Sequence, residues 1–66
     1  MYGERLRELR TERGLTQKQL AEKLGLTQKN VSKYELEKLD LNTETIVKIC
    51  RFFGCSADYL LGLSDF

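Results

Sequence analysis

The chain has 66 residues and a net charge of +1; 41% of its residues are hydrophobic and 32% are charged. A chain of this length forms one domain and buries only about 60% of its extended surface, which argues against a large enclosed active site. No apolar run approaches the ~20 residues of a membrane span, and the N-terminus is a charged amphipathic segment unlike a signal peptide.

The first predicted helix runs from about Gly3 to Arg13. Four of its residues recur at helical spacing and share one face: Leu6, Leu9, Arg10 and Arg13. Arg10 therefore faces the core, where a guanidinium without a carboxylate partner is strongly destabilising. Gly14 ends this helix, and Leu15 packs inward.

The next segment, Thr16–Glu35, predicts two short helices joined by a tight turn. Thr16 caps the first of them, and Gln19 three residues later completes a capping box. Gly25 ends this helix, because glycine enters the left-handed backbone region without steric cost. The apolar face of the helix carries Leu20, Ala21 and Leu24.

The second helix of this segment has an apolar face and a polar face. Thr27 caps it, and Val31 and Tyr34 lie on its inner face. The small side chain of Ala21 lets this helix approach the first one closely. The outer face carries hydrogen-bonding side chains without a negative charge: Gln28, Lys29, Ser32 and Lys33. Such a face suits a polar, negatively charged partner.

In this segment the sequence resembles the phage-repressor and Cro-like (XRE-type) helix-turn-helix family. The matching positions are Gln17, Ala21, Gly25, Val31 and Tyr34. The likeness extends from Leu6 to the closing stretch Asp58–Asp65. It implies an all-α fold: a compact five-helix, lambda-repressor-like DNA-binding domain over residues 1–66. The helix-turn-helix would lie at helices 2 and 3, about residues 16–35.

The resemblance also supplies the carboxylate that Arg10 needs. The matching acid, just after the recognition helix, is Glu35 in this sequence. We expect a structural Arg10–Glu35 ion pair that fixes the angle at which the recognition helix is presented. The alternative is two solvated side chains whose attraction is worth under ~1 kcal/mol.

The segment Leu36–Leu41 departs from the family pattern. Relatives usually place a glycine at position 37 and a proline at position 41, with basic residues between them. Because Glu37 replaces a helix stop, we expect helix three to extend by a turn. Lys38 keeps one of the basic residues, but Leu39 and Asp40 replace the others. The loss of these cations predicts a weaker phosphate contact.

Apolar residues outside the core stripes are candidates for a dimer contact. These candidates are Leu36, Leu39, Leu41 and Phe52. Extra packing against the core is the alternative for the three leucines.

The C-terminal part of the chain predicts two more helices. Asn42 or Thr43 caps the fourth helix, and Gly54 ends it. Its core stripe is Ile46, Ile49, Cys50 and Phe53. Ser56 caps a short fifth helix, and the residues that complete the core from it are Tyr59 and Leu60.

The sequence contains no pattern typical of an enzyme, a metal site or a cofactor site. It has no histidine, the most common general base, and its serines have no base within a plausible motif. Cys50 and Cys55 lack the further ligands of a zinc site, so we expect two reduced thiols. Glycine-rich phosphate loops are absent. We therefore expect no catalytic residue, no metal and no cofactor.

The charges are distributed unevenly along the chain. Residues 1–33 sum to +4 and residues 34–66 to −3. This asymmetry favours one face toward phosphate and the other toward solvent or a partner, against the alternative of a mixed solvated surface.

The resemblance implies contacts to DNA, since readers of this class place the N-terminal end of the second motif helix at base edges. The base-contact candidates are Gln28, Lys29, Ser32 and Lys33. Gln28 suits adenine, and the two lysines suit guanine, with phosphate contact or solvation as alternatives for the lysines. The phosphate-contact candidates are Thr16, Gln17, Thr27, Lys38, Asn42 and Thr43.

Two hypotheses for the function follow. The first is a cytoplasmic bacterial or phage transcriptional regulator, a repressor that binds a palindromic operator in double-stranded DNA as a homodimer through the major groove. The second is an antitoxin-like or anti-regulator module that binds a protein partner through its acidic, apolar C-terminal half. Neither hypothesis involves a membrane or a small-molecule substrate.

Overall fold

The computed structural model describes residues 1–65, which form five α-helices and no strand. The helices are α1 (Tyr2–Glu12), α2 (Gln17–Leu24), α3 (Gln28–Glu35), α4 (Thr43–Phe53) and α5 (Ala57–Leu60). The fold measures 27 × 23 × 19 Å along its principal axes. The predicted all-α, five-helix architecture is confirmed. Within the described residues, no helix is long and apolar enough to cross a bilayer.

Side-chain caps set the starts of the last four helices. Thr16 and Gln19 form the predicted capping box on α2, and the Thr27 hydroxyl accepts from the Asn30 N–H of α3 at 3.1 Å. Asn42 caps α4 by accepting from the Thr45 N–H at 2.8 Å, which resolves the choice between Asn42 and Thr43. Ser56 caps α5 in the same way. Each cap pairs a backbone donor that the helix itself leaves unpaired.

One hydrophobic core holds the five helices together. Its buried members are Leu6, Leu20, Ala21, Leu24, Val31, Tyr34, Ile49, Phe53 and Leu60. Every helix contributes at least one of them, because each places its apolar positions at helical spacing. Ala21 and Val31 are both buried where α2 meets α3, as the small side chain of Ala21 predicts.

The expected extension of helix three is wrong. The helix ends at Glu35, and Glu37 takes the left-handed conformation, with φ 58°, that the expected glycine stop would have taken. Its N–H donates to the Tyr34 carbonyl at 3.1 Å, and the Lys38 N–H donates to the Lys33 carbonyl at 2.8 Å. These two bonds form a Schellman motif, which satisfies the last carbonyls of the helix. The stop therefore persists without the glycine.

Gly3 marks a close approach of α1 to the end of α3. It is buried, and a Cβ at this position would lie 2.3 Å from the Glu35 carbonyl oxygen and 2.8 Å from the Glu37 Cγ. Backbone cannot move aside as a flexible side chain can. This position therefore requires glycine for space, since α1 itself is an ordinary helix there.

The two cysteines are free thiols and neighbours in the fold. The Cys55 N–H donates to the Cys50 carbonyl at 3.1 Å just beyond the end of α4. Burial raises the pKa of Cys50 to about 11, and the adjacent Cys55 adds to the shift. Cys50 is therefore protonated at neutral pH and a weak nucleophile.

We predict that Gly3→Ala lowers the free energy of unfolding by about 1–3 kcal/mol, because the new methyl group overlaps the Glu35 carbonyl. At an unobstructed helical position the same change would stabilise by up to about 1 kcal/mol, so the sign alone is diagnostic. Urea denaturation followed by circular dichroism measures the effect. Glu8→Ala, on the exposed face of α1, is the control and should change little. A stabilised Gly3→Ala variant would contradict the close approach.

Candidate nucleic-acid interface

The outer face of α3 forms one wall of an open cleft of about 500 Å³. The lining residues are Gln17, Gln28, Lys29, Ser32, Lys33, Leu36 and Lys38. The lining contains three lysines and no carboxylate, so the cleft is electropositive. The four base-contact candidates all lie here because they occupy the helical face opposite the buried Val31 and Tyr34.

The structure contains an Arg10–Glu35 ion pair behind this cleft. The Arg10 Nε donates to Glu35 Oε2 at 2.6 Å, and Nη2 donates to Oε1 at 3.1 Å. The Arg10 side chain is 13% exposed and that of Glu35 is 5% exposed. The Nη1 atom also donates to the Leu15 carbonyl at 2.8 Å. This two-point, largely desolvated pair joins α1 to the last residue of α3 and to the turn before α2.

Gln17 belongs to the same network, which the sequence did not indicate. Its Nε2 donates to Glu35 Oε1 at 3.1 Å, so a side chain at the start of α2 is tied to the end of α3. The Gln17 side chain also lines the cleft. Its orientation at the surface is therefore set by the ion pair beneath it.

A second, smaller cleft of about 220 Å³ adjoins the first and shares Gln17, Ser32 and Leu36 with it. Arg7 lines this cleft and brings a further cation to the same side of the molecule. Arg7 is not among the predicted contact residues. The available signal was its position three residues before Arg10 on the same side of α1.

The remaining phosphate-contact candidates sit at helix starts outside the main cleft. Thr16 and Thr27 are exposed N-caps whose hydroxyl oxygens accept backbone N–H groups. Each hydroxyl still carries a hydrogen that it can donate to a phosphate oxygen. Asn42 uses its side-chain oxygen to cap α4 and keeps its NH₂ donors, and Thr43 is exposed beside it.

The four candidates for a dimer contact separate into two groups. Leu36 is 63% exposed and lines the cleft beside Ser32 and Lys38. Leu39, Leu41 and Phe52 are half-buried and pack against the outside of the core. The Phe52 ring meets Phe53 edge-on at 4.9 Å, and the Arg13 guanidinium lies 5.7 Å from its centroid.

Comparison with known proteins gives a consistent result. A family model described as helix-turn-helix matches residues 6–60. The HTH-type transcriptional regulator ImmR of Bacillus subtilis is 45% identical over 63 residues, which are 96% of this chain and 50% of that protein. The SPbeta prophage-derived uncharacterized HTH-type transcriptional regulator YonR of Bacillus subtilis is 39% identical over 61 residues, 92% of this chain and 56% of that protein. The chain thus spans about half the length of these relatives.

Solved structures also match. The P22 c2 repressor protein, crystallised in complex with a synthetic operator, superposes with a TM-score of 0.89 at 28% identity. The match covers 97% of each chain. The solution structure of the DNA-binding domain of the same repressor superposes with a TM-score of 0.84 at 29% identity, covering 100% of this chain and 90% of that one.

We predict that Glu35→Gln lowers the free energy of unfolding by about 3 kcal/mol, because it leaves the largely buried Arg10 without a carboxylate. A double variant, Arg10→Met with Glu35→Leu, should recover most of the loss, since it removes both charges. Chemical denaturation measures all three proteins. The control is Lys48→Gln, which breaks an exposed pair with Glu44 at 3.5 Å and should cost under about 1 kcal/mol. Equal effects of Glu35→Gln and Lys48→Gln would refute a stabilising role for the buried pair.

Proposed function

Since the chain belongs to the helix-turn-helix family, we propose that it is a sequence-specific, double-stranded DNA-binding transcriptional regulator that inserts α3 into the major groove. The observation that carries this proposal is the outer face of α3. It gathers amide, hydroxyl and ammonium groups in one electropositive cleft without a carboxylate. The major groove admits a helix and presents a different donor and acceptor pattern for each base pair.

Base recognition would come from the N-terminal part of α3. Gln28 can bond adenine N6 and N7 with its amide, and Lys29 or Lys33 can donate to guanine O6 and N7. Ser32, one turn after Gln28, can donate or accept. The exposed lysines also reach phosphate, which is the competing role for each of them.

Phosphate contacts would fix the orientation of α3 in the groove. Thr16, Gln17 and the first N–H groups of α2 would contact phosphates, and so would Lys38, which lines the same cleft as Gln17. Thr27, Asn42 and Thr43 are further donors at helix starts, where the helix dipole favours anions. The ion pair beneath Gln17 supports this arrangement, since it fixes that side chain before DNA arrives.

We further propose that the protein acts as a homodimer on a palindromic operator and represses transcription by occupying it. One domain of this size contacts only a few base pairs, so a second copy is needed for useful specificity. The half-sites would lie about one helical turn, ~34 Å, apart. The contact between copies would use Leu36, Leu39, Leu41 and Phe52, of which Leu36 is the most exposed.

The relatives described above are named as transcriptional regulators, which supports a non-catalytic protein that acts in the cytoplasm, of bacterial or phage origin. The same names do not favour the second hypothesis, a module that binds only a protein partner. Repression would then be controlled by the concentration of the protein, by a partner or by proteolysis.

Selection of binding sites from a random duplex library tests the proposal. We expect an enriched palindrome, and a Gln28→Ala, Lys33→Ala variant should lose about 10²-fold or more in affinity for it, at about 1–3 kcal/mol per base contact. Lys48→Ala, which removes one charge from α4, is the matched control and should keep the affinity. A pool that stays random with folded protein would contradict sequence-specific binding. Enrichment of isolated half-sites would contradict only the dimer.

Lys38 provides a separate test of the phosphate contacts. If its ammonium neutralises one phosphate, Lys38→Ala should reduce the slope of log K against log salt concentration by about 0.9. The relative affinities for different sequences should stay the same, because phosphate carries no base identity. Fluorescence anisotropy over a salt series measures both. An unchanged slope would place Lys38 away from the backbone.

A further inference from the structure

Glu37 has a backbone conformation that L-residues rarely adopt. Among residues 1–65 it alone combines a side chain with a positive φ, 58°; the other positive values belong to glycines. A Cβ makes this conformation unfavourable, and a residue stays in it only where its surroundings hold it there. The contacts that hold Glu37 in this conformation are therefore of interest beyond the end of α3.

The Glu37 side chain reaches across to the start of α1. Its Oε2 accepts from the Gly3 N–H at 3.3 Å and from the Met1 amino group at 2.7 Å. Met1, the N-cap residue, provides no side-chain oxygen, so Glu37 supplies the cap of α1 from 34 residues away. The hydrogen bond from the Met1 amino group is the main reason that the pKa of Glu37 lies below its ordinary value.

Tyr2 makes a second connection between the same segments. Its hydroxyl donates to the Leu39 carbonyl at 3.1 Å and lies 3.3 Å from Asp40 Oδ1. Gly3 completes the contact, since its missing side chain lets α1 lie against the Glu35 carbonyl. We call these contacts, between Met1–Gly3 and residues 35–40, the N-terminal clasp.

The clasped segment borders the proposed DNA interface. Lys38 lies directly after Glu37 and lines the main cleft with Lys33 and Ser32. Its N–H is bonded to the Lys33 carbonyl through the Schellman motif that the left-handed Glu37 makes possible. The direction in which the chain leaves α3, and so the placement of Lys38, thus depends on the conformation that the clasp maintains.

We propose that Glu37 is a positioning residue for DNA binding: through the start of α1 it holds the backbone after α3, so that Lys38 meets the same duplex that α3 enters. This inference rests on the proposed function. It assigns a role to the side chain of Glu37, since a glycine at this position could end the helix but could not bond to the start of α1.

Two substitutions at Glu37 separate its charge from its anchoring bonds. Both Glu37→Gln and Glu37→Gly remove one negative charge and so increase the attraction for DNA equally. Glutamine keeps an acceptor for the Gly3 N–H, whereas glycine deletes it. Glycine tolerates the left-handed conformation, so the variant stays folded, but it also enters other conformations freely, so the backbone after α3 is no longer held in one of them. We expect Glu37→Gly to bind the selected duplex about 3- to 10-fold more weakly than Glu37→Gln. The slope of log K against log salt concentration should be smaller by about one for Glu37→Gly than for Glu37→Gln, as it is for Lys38→Ala relative to the wild type.

A merely structural role would not produce coupling between Glu37 and Lys38. If the clasp acts through Lys38, the Glu37→Gly substitution should cost little further affinity in a Lys38→Ala background. Tyr2→Phe, which changes no charge, should also weaken DNA binding in the wild-type background. In the Lys38→Ala background, the same substitution should have no effect on affinity. Circular dichroism and thermal unfolding verify that each variant is folded.

The outcomes distinguish this inference from the proposed function. If the wild-type protein binds no duplex, both the proposed function and the positioning role of Glu37 are wrong. Wild-type protein that binds a selected site, with Glu37→Gly equal to or tighter than Glu37→Gln, defeats the positioning role alone. Independent, multiplying losses in the Glu37→Gly and Lys38→Ala variants would likewise overturn it.

Discussion

The largely buried ion pair between Arg10 and Glu35 fixes how α3 lies against α1. The core alone would allow α3 to rotate or slide on α1, since hydrophobic contact is not directional. A two-point guanidinium–carboxylate contact allows one geometry, and its burial makes any other geometry costly. Because Glu35 is also bonded to Gln17, the same contact relates the start of α2 to the end of α3. Contacts within the protein thus fix the position of α3 beside the cleft.

Most of the fold could be predicted because its determinants are local. The caps at Thr16, Thr27 and Ser56 act on N–H groups three residues away, and the apolar stripes follow from helical spacing alone. The choice between Asn42 and Thr43 stayed open because either residue can cap a helix. The prediction for helix three failed for a different reason. It used the local preference for glycine at position 37, whereas the carboxylate of Glu37 is held by residues 34 and 36 positions away.

The same distinction applies to the candidate interface. The face of Gln28 and Lys33 follows from periodicity, so the sequence was sufficient to place these residues on one surface. Arg7 could have been inferred from its spacing to Arg10 on α1. The bond between Gln17 and Glu35 depends on tertiary geometry, which spacing cannot supply. Gly3 stands at the start of the predicted first helix, where a glycine is not unusual, so its close contact also depends on tertiary geometry. What the sequence could not indicate was that the contact is the end of α3.

The sequence separation of these contacts bears on how the domain assembles. The helices α2 and α3 are neighbours along the chain, so their packing closes loops of roughly ten residues. The bonds that join the N-terminus and α1 to residues 35–40 close loops of 25 to 38 residues. Chain entropy makes this closure costlier by about 1 kcal/mol, a modest difference that still favours the shorter loops first. The helix-turn-helix is therefore expected to form as a local unit, and α3 acquires its fixed direction only when α1 docks.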